Sequence, residues 1–178
     1  MPFRSTIFAL AAAVLSGSAE RAWAIAGCDA FSATLRAEAS DMQVEFGRAI
    51  VVSRTRSDSN VFDVTTKVDV DATLSCRGDE FVRFEARIGE PANARTNTNF
   101  ERFQTAALKA ALGWDAGKSR GVLRGLTTDA QEYLTASRER GDVYVAGKTE
   151  EHEPGRVSLG LMATSTDRTF VIVGPAGE

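Results

Sequence analysis

A single histidine, His152, is present in 178 residues, and that scarcity removes most catalytic arrangements built on imidazole. A Ser-His-Asp or Cys-His site would have to use it, and no Gly-x-Ser-x-Gly elbow is present to expose a serine nucleophile. Two cysteines, Cys28 and Cys76, with one histidine fall short of the ligand sets that structural zinc sites use. Basic excess is also missing: 21 Lys and Arg against 24 Asp and Glu leave a formal net charge of -3. A mildly acidic chain without a basic tract argues against nucleic acid as a partner. No Asn-x-Ser/Thr sequon occurs and Arg outnumbers Lys, both of which suit a bacterial source. Beyond residue 24 no apolar run approaches the ~20 residues of a transmembrane helix, so none is expected.

What is present at the start of the chain reads as an export signal. Arg4 precedes an apolar run over residues 7–15, too short to span a bilayer, and a polar stretch over 16–21 leads to Ala22-Trp23-Ala24. Small residues at 22 and 24 place cleavage before Ile25. This divides the chain into a signal peptide, 1–24, and one domain, 25–178, of a length that closes a single core. Cleavage removes Arg4, Arg21 and Glu20 and makes the balance one unit more acidic. The expected location is periplasmic or extracellular.

The two cysteines have two mutually exclusive fates. An even count in an exported chain favours a Cys28–Cys76 disulfide, and closing that loop is worth roughly 4 kcal/mol by chain entropy. Alternatively, Ile25-Ala26-Gly27-Cys28 resembles a bacterial lipobox, whose cysteine is acylated and anchors the chain to a membrane. The apolar run ends a dozen residues earlier, with Glu20 and Arg21 intervening, and acylation would strand Cys76.

Periodicity supplies the elements. Phe31 and Leu35 at helical spacing predict a helix over 29–40, with Asp29 or Ser32 as N-cap. Val44, Phe46, Ile50 and Val52 share one parity and predict a first strand, followed by turn residues over 53–60. From Phe62 to Cys76 every even position but Thr66 is apolar, while Asp63, Lys67, Asp69 and Asp71 lie on the other face. This predicts one long, half-buried strand with Cys76 inward, bent or bulged along its length. Val82, Phe84, Ala86 and Ile88 form the returning strand. A five-residue loop would set Asp71 opposite Arg87 and Ser75 opposite Arg83, a better match than the three-residue register that sets Asp71 against Glu85.

Residues 89–97, with Pro91, read as a loop. Thr98 then opens a helix by a capping box with Glu101, carries the stripe Phe100, Phe103, Ala107, Leu108, Ala111 and Leu112, and stops at Gly113. A further helix is predicted over 128–140 with Tyr133 and Leu134 inward and Gly141 as its stop. Strands over 143–148, 156–163 and 169–173 close the chain, with turns at 149–155 and 164–168. The expected fold is α+β: an antiparallel sheet of about six strands covered by about three helices, in the order α-βββ-αα-βββ. The similar halves suggest an old duplication, without a residue-level repeat.

The apparent motifs are weak. Gly113 to Ser119 resembles a phosphate loop, but it has three residues where the fingerprint needs four, and it follows a helix. Arg77-Gly78-Asp79 spells an integrin tripeptide where a hairpin turn asks for Gly and Asp anyway. Glu150, Glu151, His152 and Glu153 form an acidic loop around the histidine, the best single place for a ligand or partner to bind, and one that reads first as solvated surface. Asp63, Asp69 and Asp71 describe a solvated sheet face, and Trp114 and Tyr133 read as core beside a helix end or as the wall of a pocket.

These readings lead to an exported, non-catalytic binding or accessory domain of the cell envelope, with an envelope protein or a small ligand as its partner and no cofactor or metal. A carboxylate-dependent hydrolase is the first alternative. A small secreted inhibitor is the second, presenting a rigid loop such as 77–81 or 149–155. Intact mass of the exported chain should change on reduction by the two hydrogens of one disulfide. Free thiols before reduction, or an acyl-sized addition at Cys28, would reverse that reading.

Overall fold

A computed structural model describes residues 27–44, 50–56, 59–65, 70–89, 91–139, 146–152, 157–163 and 167–174. Residues 1–24, read above as a signal peptide, and Asp69 and Glu153 lie outside them. The elements are α1 (Cys28–Asp41), β1 (Ile50–Arg56), β2 (Ser59–Thr65), β3 (Asp71–Arg77), β4 (Glu80–Gly89), α2 (Ala94–Leu112), α3 (Ala116–Glu139), β5 (Ala146–His152), β6 (Val157–Ala163) and β7 (Asp167–Val173). All seven strands join one antiparallel sheet in the order β1-β2-β3-β4-β7-β6-β5. Two meanders meet at the β4–β7 pair, and the α2–α3 hairpin carries the chain from one to the other.

The expected α+β class and antiparallel pairing are present, and the described residues form three helices and seven strands, where about six strands were expected. The additional strand comes from the segment expected to be one long strand. β2 and β3 fold back on each other, with Asn60 opposite Cys76, Phe62 opposite Leu74 and Val64 opposite Ala72. Each pair joins two even positions, so the alternation runs through the turn with its parity unchanged. Period-two patterning alone therefore cannot separate a straight strand from a hairpin of this register. Strand length could, because fifteen residues exceeds the usual ~3–10. β1 likewise runs to Arg56 and β2 starts at Ser59, so most of the turn expected at 53–60 is strand.

The β3–β4 hairpin has the predicted register, with Asp71 opposite Arg87 and Ser75 opposite Arg83, reached by a different route. Its loop is the two residues Gly78-Asp79, with φ of 60° at Gly78, a value glycine adopts without the Cβ clash. Cys76 then pairs with Phe81 and Arg77 with Glu80, and Val82 is the extra residue of a bulge. The bulge turns Phe81 inward, at 3% exposure, whereas Val82, expected inward, is half-buried.

One face of the sheet carries the core. Ala72, Leu74, Cys76, Phe84, Ala86, Ile88, Phe170 and Ile172 are buried beneath Phe31, Leu35 and Ala39 of α1, the α2 stripe, and Leu123, Leu126 and Ala130 of α3. The Phe31 ring lies 4.8 Å from Phe81 and 5.4 Å from Phe84, and Phe84 meets Phe103 at 5.6 Å, so aromatic contacts join α1, β4 and α2. Burying each such side chain stabilises the fold by about 1.5–3 kcal/mol. The opposite face presents Asp71, Arg83 and Arg87 to solvent.

Helix boundaries depart from the periodicity where polar caps or glycines intervene. α2 begins four residues before Thr98, because the Asn93 side chain accepts the Thr96 amide at 2.9 Å and serves as its N-cap. α3 begins at Ala116, not near Thr128, although Gly117, Gly121 and Gly125 weaken its first half as helix. The buried Leu123, Leu126 and Ala130 compensate, while Tyr133, expected inward, is 51% exposed. At the other end, β7 starts at Asp167, inside the expected 164–168 turn.

The start of α1 is fastened to the β3–β4 hairpin three times over. Cys28 and Cys76 form a disulfide with Cα atoms 6.1 Å apart, and Cys76 is fully buried. The Asp79 carbonyl accepts the Cys28 amide at 2.7 Å, and the Asp79 carboxylate accepts the Asp29 amide at 3.1 Å. The helix N-terminus is thus capped from across the sheet instead of by Asp29 or Ser32. Gly27 holds the N-cap position without a side-chain bond. A Cβ at Gly27 would be driven into Asp79, so the close approach requires glycine. Replacing both cysteines by Ala should lower stability by about 4 kcal/mol in urea denaturation and Asp79→Ala by about 1 kcal/mol. A double cysteine variant as stable as the parent would mean that the crosslink does not form.

Candidate functional site

Three helix segments enclose an open depression of about 470 Å³ on the helical side of the molecule. Its lining comes from the end of α1 (Asp41, Met42, Gln43), one face of α2 (Thr98, Glu101, Arg102, Thr105) and the first turns of α3 (Ala116, Arg120). The α2 residues recur at i, i+3, i+4 and i+7, which places them on one stripe of the helix. Gly113, at φ 64°, ends α2 and reverses the chain so that the start of α3 returns beside that stripe.

The α1 wall is held by a tight helix stop. The Val44 amide donates to the Ala39 carbonyl at 2.7 Å and the Gln43 amide to Ser40 at 2.9 Å, the paired bonds of a Schellman motif. Val44 and Ala39 are both buried, supplying the apolar contact that accompanies it. Such a motif needs a left-handed residue, and Gln43 adopts it at φ 61°. A side chain there costs about 1–2 kcal/mol that glycine would avoid. The fold would favour glycine, yet an amide side chain stands at the rim of the depression.

The α3 wall begins with Asp115. Its carboxylate accepts the Lys118 amide at 2.8 Å, and its carbonyl accepts the Ser119 amide at 3.0 Å. Amide donation from Lys118 and Gly117, with the Lys118 charge adding to it, holds the Asp115 carboxyl below the usual carboxylate range. A depressed carboxyl pKa contributes stability that is present above the unfolded-state value and lost as pH falls through the folded value, so this cap weakens only in acid. The Lys118 ammonium lies 4.3 Å from the centre of the Trp114 ring, a cation–π contact that holds the side chain over the α2–α3 turn.

Ion pairing differs between the depression and the seam beside it. Glu38 and Lys109 pair at 2.6 Å across the α1–α2 seam, but Asp41, Glu101, Arg102 and Arg120 form no ion pair among the described residues. Arg120 uses its Nε on the Ala116 carbonyl at 3.0 Å. The hydroxyls are committed as donors within α2, Thr98 to Ala94 at 2.9 Å and Thr105 to Glu101 at 2.8 Å. The lining therefore presents two guanidiniums, two carboxylates and an amide.

None of the residues named from the sequence as a candidate ligand or partner site lies in this depression; Thr98 and Glu101, read there only as a helix cap, and Ala116 of the look-alike phosphate loop do. Glu150, Glu151 and His152 belong to β5, opposite Leu159, Ser158 and Val157, so the loop expected at 149–155 is partly an edge strand. Asp79 is engaged by the start of α1, which removes the integrin reading of Arg77-Gly78-Asp79. In the phosphate-loop look-alike a helix does begin, at Ala116, contrary to expectation. Asp115 occupies its N-terminus, and Ser119, where such a loop would hold a metal, is fully buried. Trp114 is core, and Asp71 is exposed opposite Arg87. Cys28 and Cys76 are joined as expected, which occupies the sulfur that lipidation would need. Among the described residues no group of three or more His, Cys, Asp or Glu is placed to hold a metal ion.

Gln43→Gly should raise stability by about 1 kcal/mol in urea denaturation by relieving the left-handed side chain. An unchanged or lower stability would mean that the Gln43 amide makes compensating contacts with the fold. No protein-family model, curated protein or solved structure matches this chain, so its function has to be argued from its own residues.

Proposed function

We propose that this chain is an exported, disulfide-closed domain of the cell envelope that acts by binding, with the depression between α1, α2 and α3 as its binding surface. The observation that carries the reading is the chemistry of the lining. Arg102, Arg120, Asp41 and Glu101 are groups that hold a ligand by charge, and the Thr98 and Thr105 hydroxyls already donate to their own helix. Export is supported by the buried Cys28–Cys76 disulfide, which persists in oxidising compartments, and no described helix is long and apolar enough to cross a membrane. The tight Gly78-Asp79 turn, tied down by α1, is unlike the protruding loop an inhibitor would insert into an enzyme.

Hydrogen exchange tests the reading directly. Adding the small-molecule and peptide fraction of a bacterial periplasm to the oxidised chain should slow amide exchange in residues 41–44, 98–105 and 116–120. Exchange slowed only elsewhere, or nowhere, would overturn the assignment of this surface.

A further inference from the structure

We propose that the depression takes a short zwitterionic ligand of the amino-acid or peptide class, with Arg102 and Arg120 receiving its anionic group and Asp41 and Glu101 its cationic group. This rests on the binding reading above and adds the ligand class. The charged lining is two guanidiniums against two carboxylates, so the site as a whole is electrically neutral. A ligand of one sign would meet a like-charged pair for every opposite pair it satisfied. A small molecule that separates both charges can satisfy each half in turn. The absence of ion pairs among these four side chains, beside a Glu38–Lys109 pair formed one seam away, leaves both halves able to bind.

The remaining lining fits the same class. The Gln43 side chain offers a donor and an acceptor of the kind that recognises a peptide group, at a position where the backbone would favour glycine. The half-buried Met42 offers a soft, adaptable apolar surface to a ligand side chain. The volume of about 470 Å³ falls within the ~300–1,000 Å³ of small-molecule sites. Guanidinium donors forming bidentate bonds to a terminal carboxylate would provide most of the orientation.

The test is a set of amide nitrogen–proton correlation spectra of the oxidised chain titrated with L-alanyl-L-alanine, L-alanyl-L-glutamate and L-alanyl-L-lysine. Each dipeptide is compared with its N-acetyl form, which lacks the cation, and its C-terminal amide, which lacks the anion. Shifts confined to 41–44, 98–105 and 116–120, with both blocked forms at least about tenfold weaker, are expected. Arg102→Gln with Arg120→Gln should weaken the dipeptide at least about tenfold while leaving the rest of the spectrum in place, which shows that the fold is intact. Equal binding of either blocked form would overturn the zwitterionic class, as would shifts outside the depression. If no dipeptide binds while the periplasmic fraction still protects these segments, the ligand class fails and the binding surface stands. If neither acts there, both fail.

Discussion

The junction between the start of α1 and the β3–β4 hairpin is the constraint on which the other layers rest. A 14-residue helix with few large apolar side chains has little of its own to hold it to a sheet. Here a covalent bond, a backbone hydrogen bond and a carboxylate cap converge within the first two residues of the helix and on Cys76 and Asp79 of the hairpin. With that end fixed, Phe31 reaches Phe81 and Phe84, Leu35 and Ala39 follow into the core, and the far end of α1 arrives beside α2. The Val82 bulge belongs to the same construction, because it lets Cys76 and Phe81 both face the helix while the rest of β3 and β4 keep a register that opposes Asp71 to Arg87.

The depression is a product of helix ends rather than of any single element. α1 stops at Gln43 by a Schellman motif, α2 crosses as the floor, and α3 begins at a carboxylate cap. A stop and a start are the parts of helices whose backbone groups are not fully used internally, and both are closed here by local bonds. What remains at the rim is side-chain chemistry alone. The neighbouring Glu38–Lys109 pair, formed at the α1–α2 seam, is itself worth less than about 1 kcal/mol at this exposure, so it orients the seam more than it stabilises it.

Sequence patterning was most informative where one residue type has one physical use. The pairing of Cys28 with Cys76, the apolar stripe of α2 and its stop at Gly113 were all legible because burial and the left-handed turn admit few residue types at those positions. The hairpin of β2 and β3 was not, since Val64 and Ala72 keep the same parity whether the chain runs straight or folds back. The first half of α3 was hidden by Gly117, Gly121 and Gly125, poor helix formers that tertiary packing overrides, and the start of α2 by an asparagine cap in a segment that reads as loop. The depression was illegible for a different reason. Residues 41–43, 98–105 and 116–120 are each ordinary polar surface until the fold brings them together.

Cys28 lies at one end of α1 and Gln43 just beyond the other, about 20 Å away by helical rise. The helix is therefore a lever whose fulcrum is a sulfur–sulfur bond and whose tip is one wall of the depression. A tilt about the fulcrum displaces the tip by the angle times the arm, so about 0.1 radian over about 20 Å moves that wall by about 2 Å. A crosslink between two sulfurs at one end of the helix thus bears on the position of a surface far from either of them.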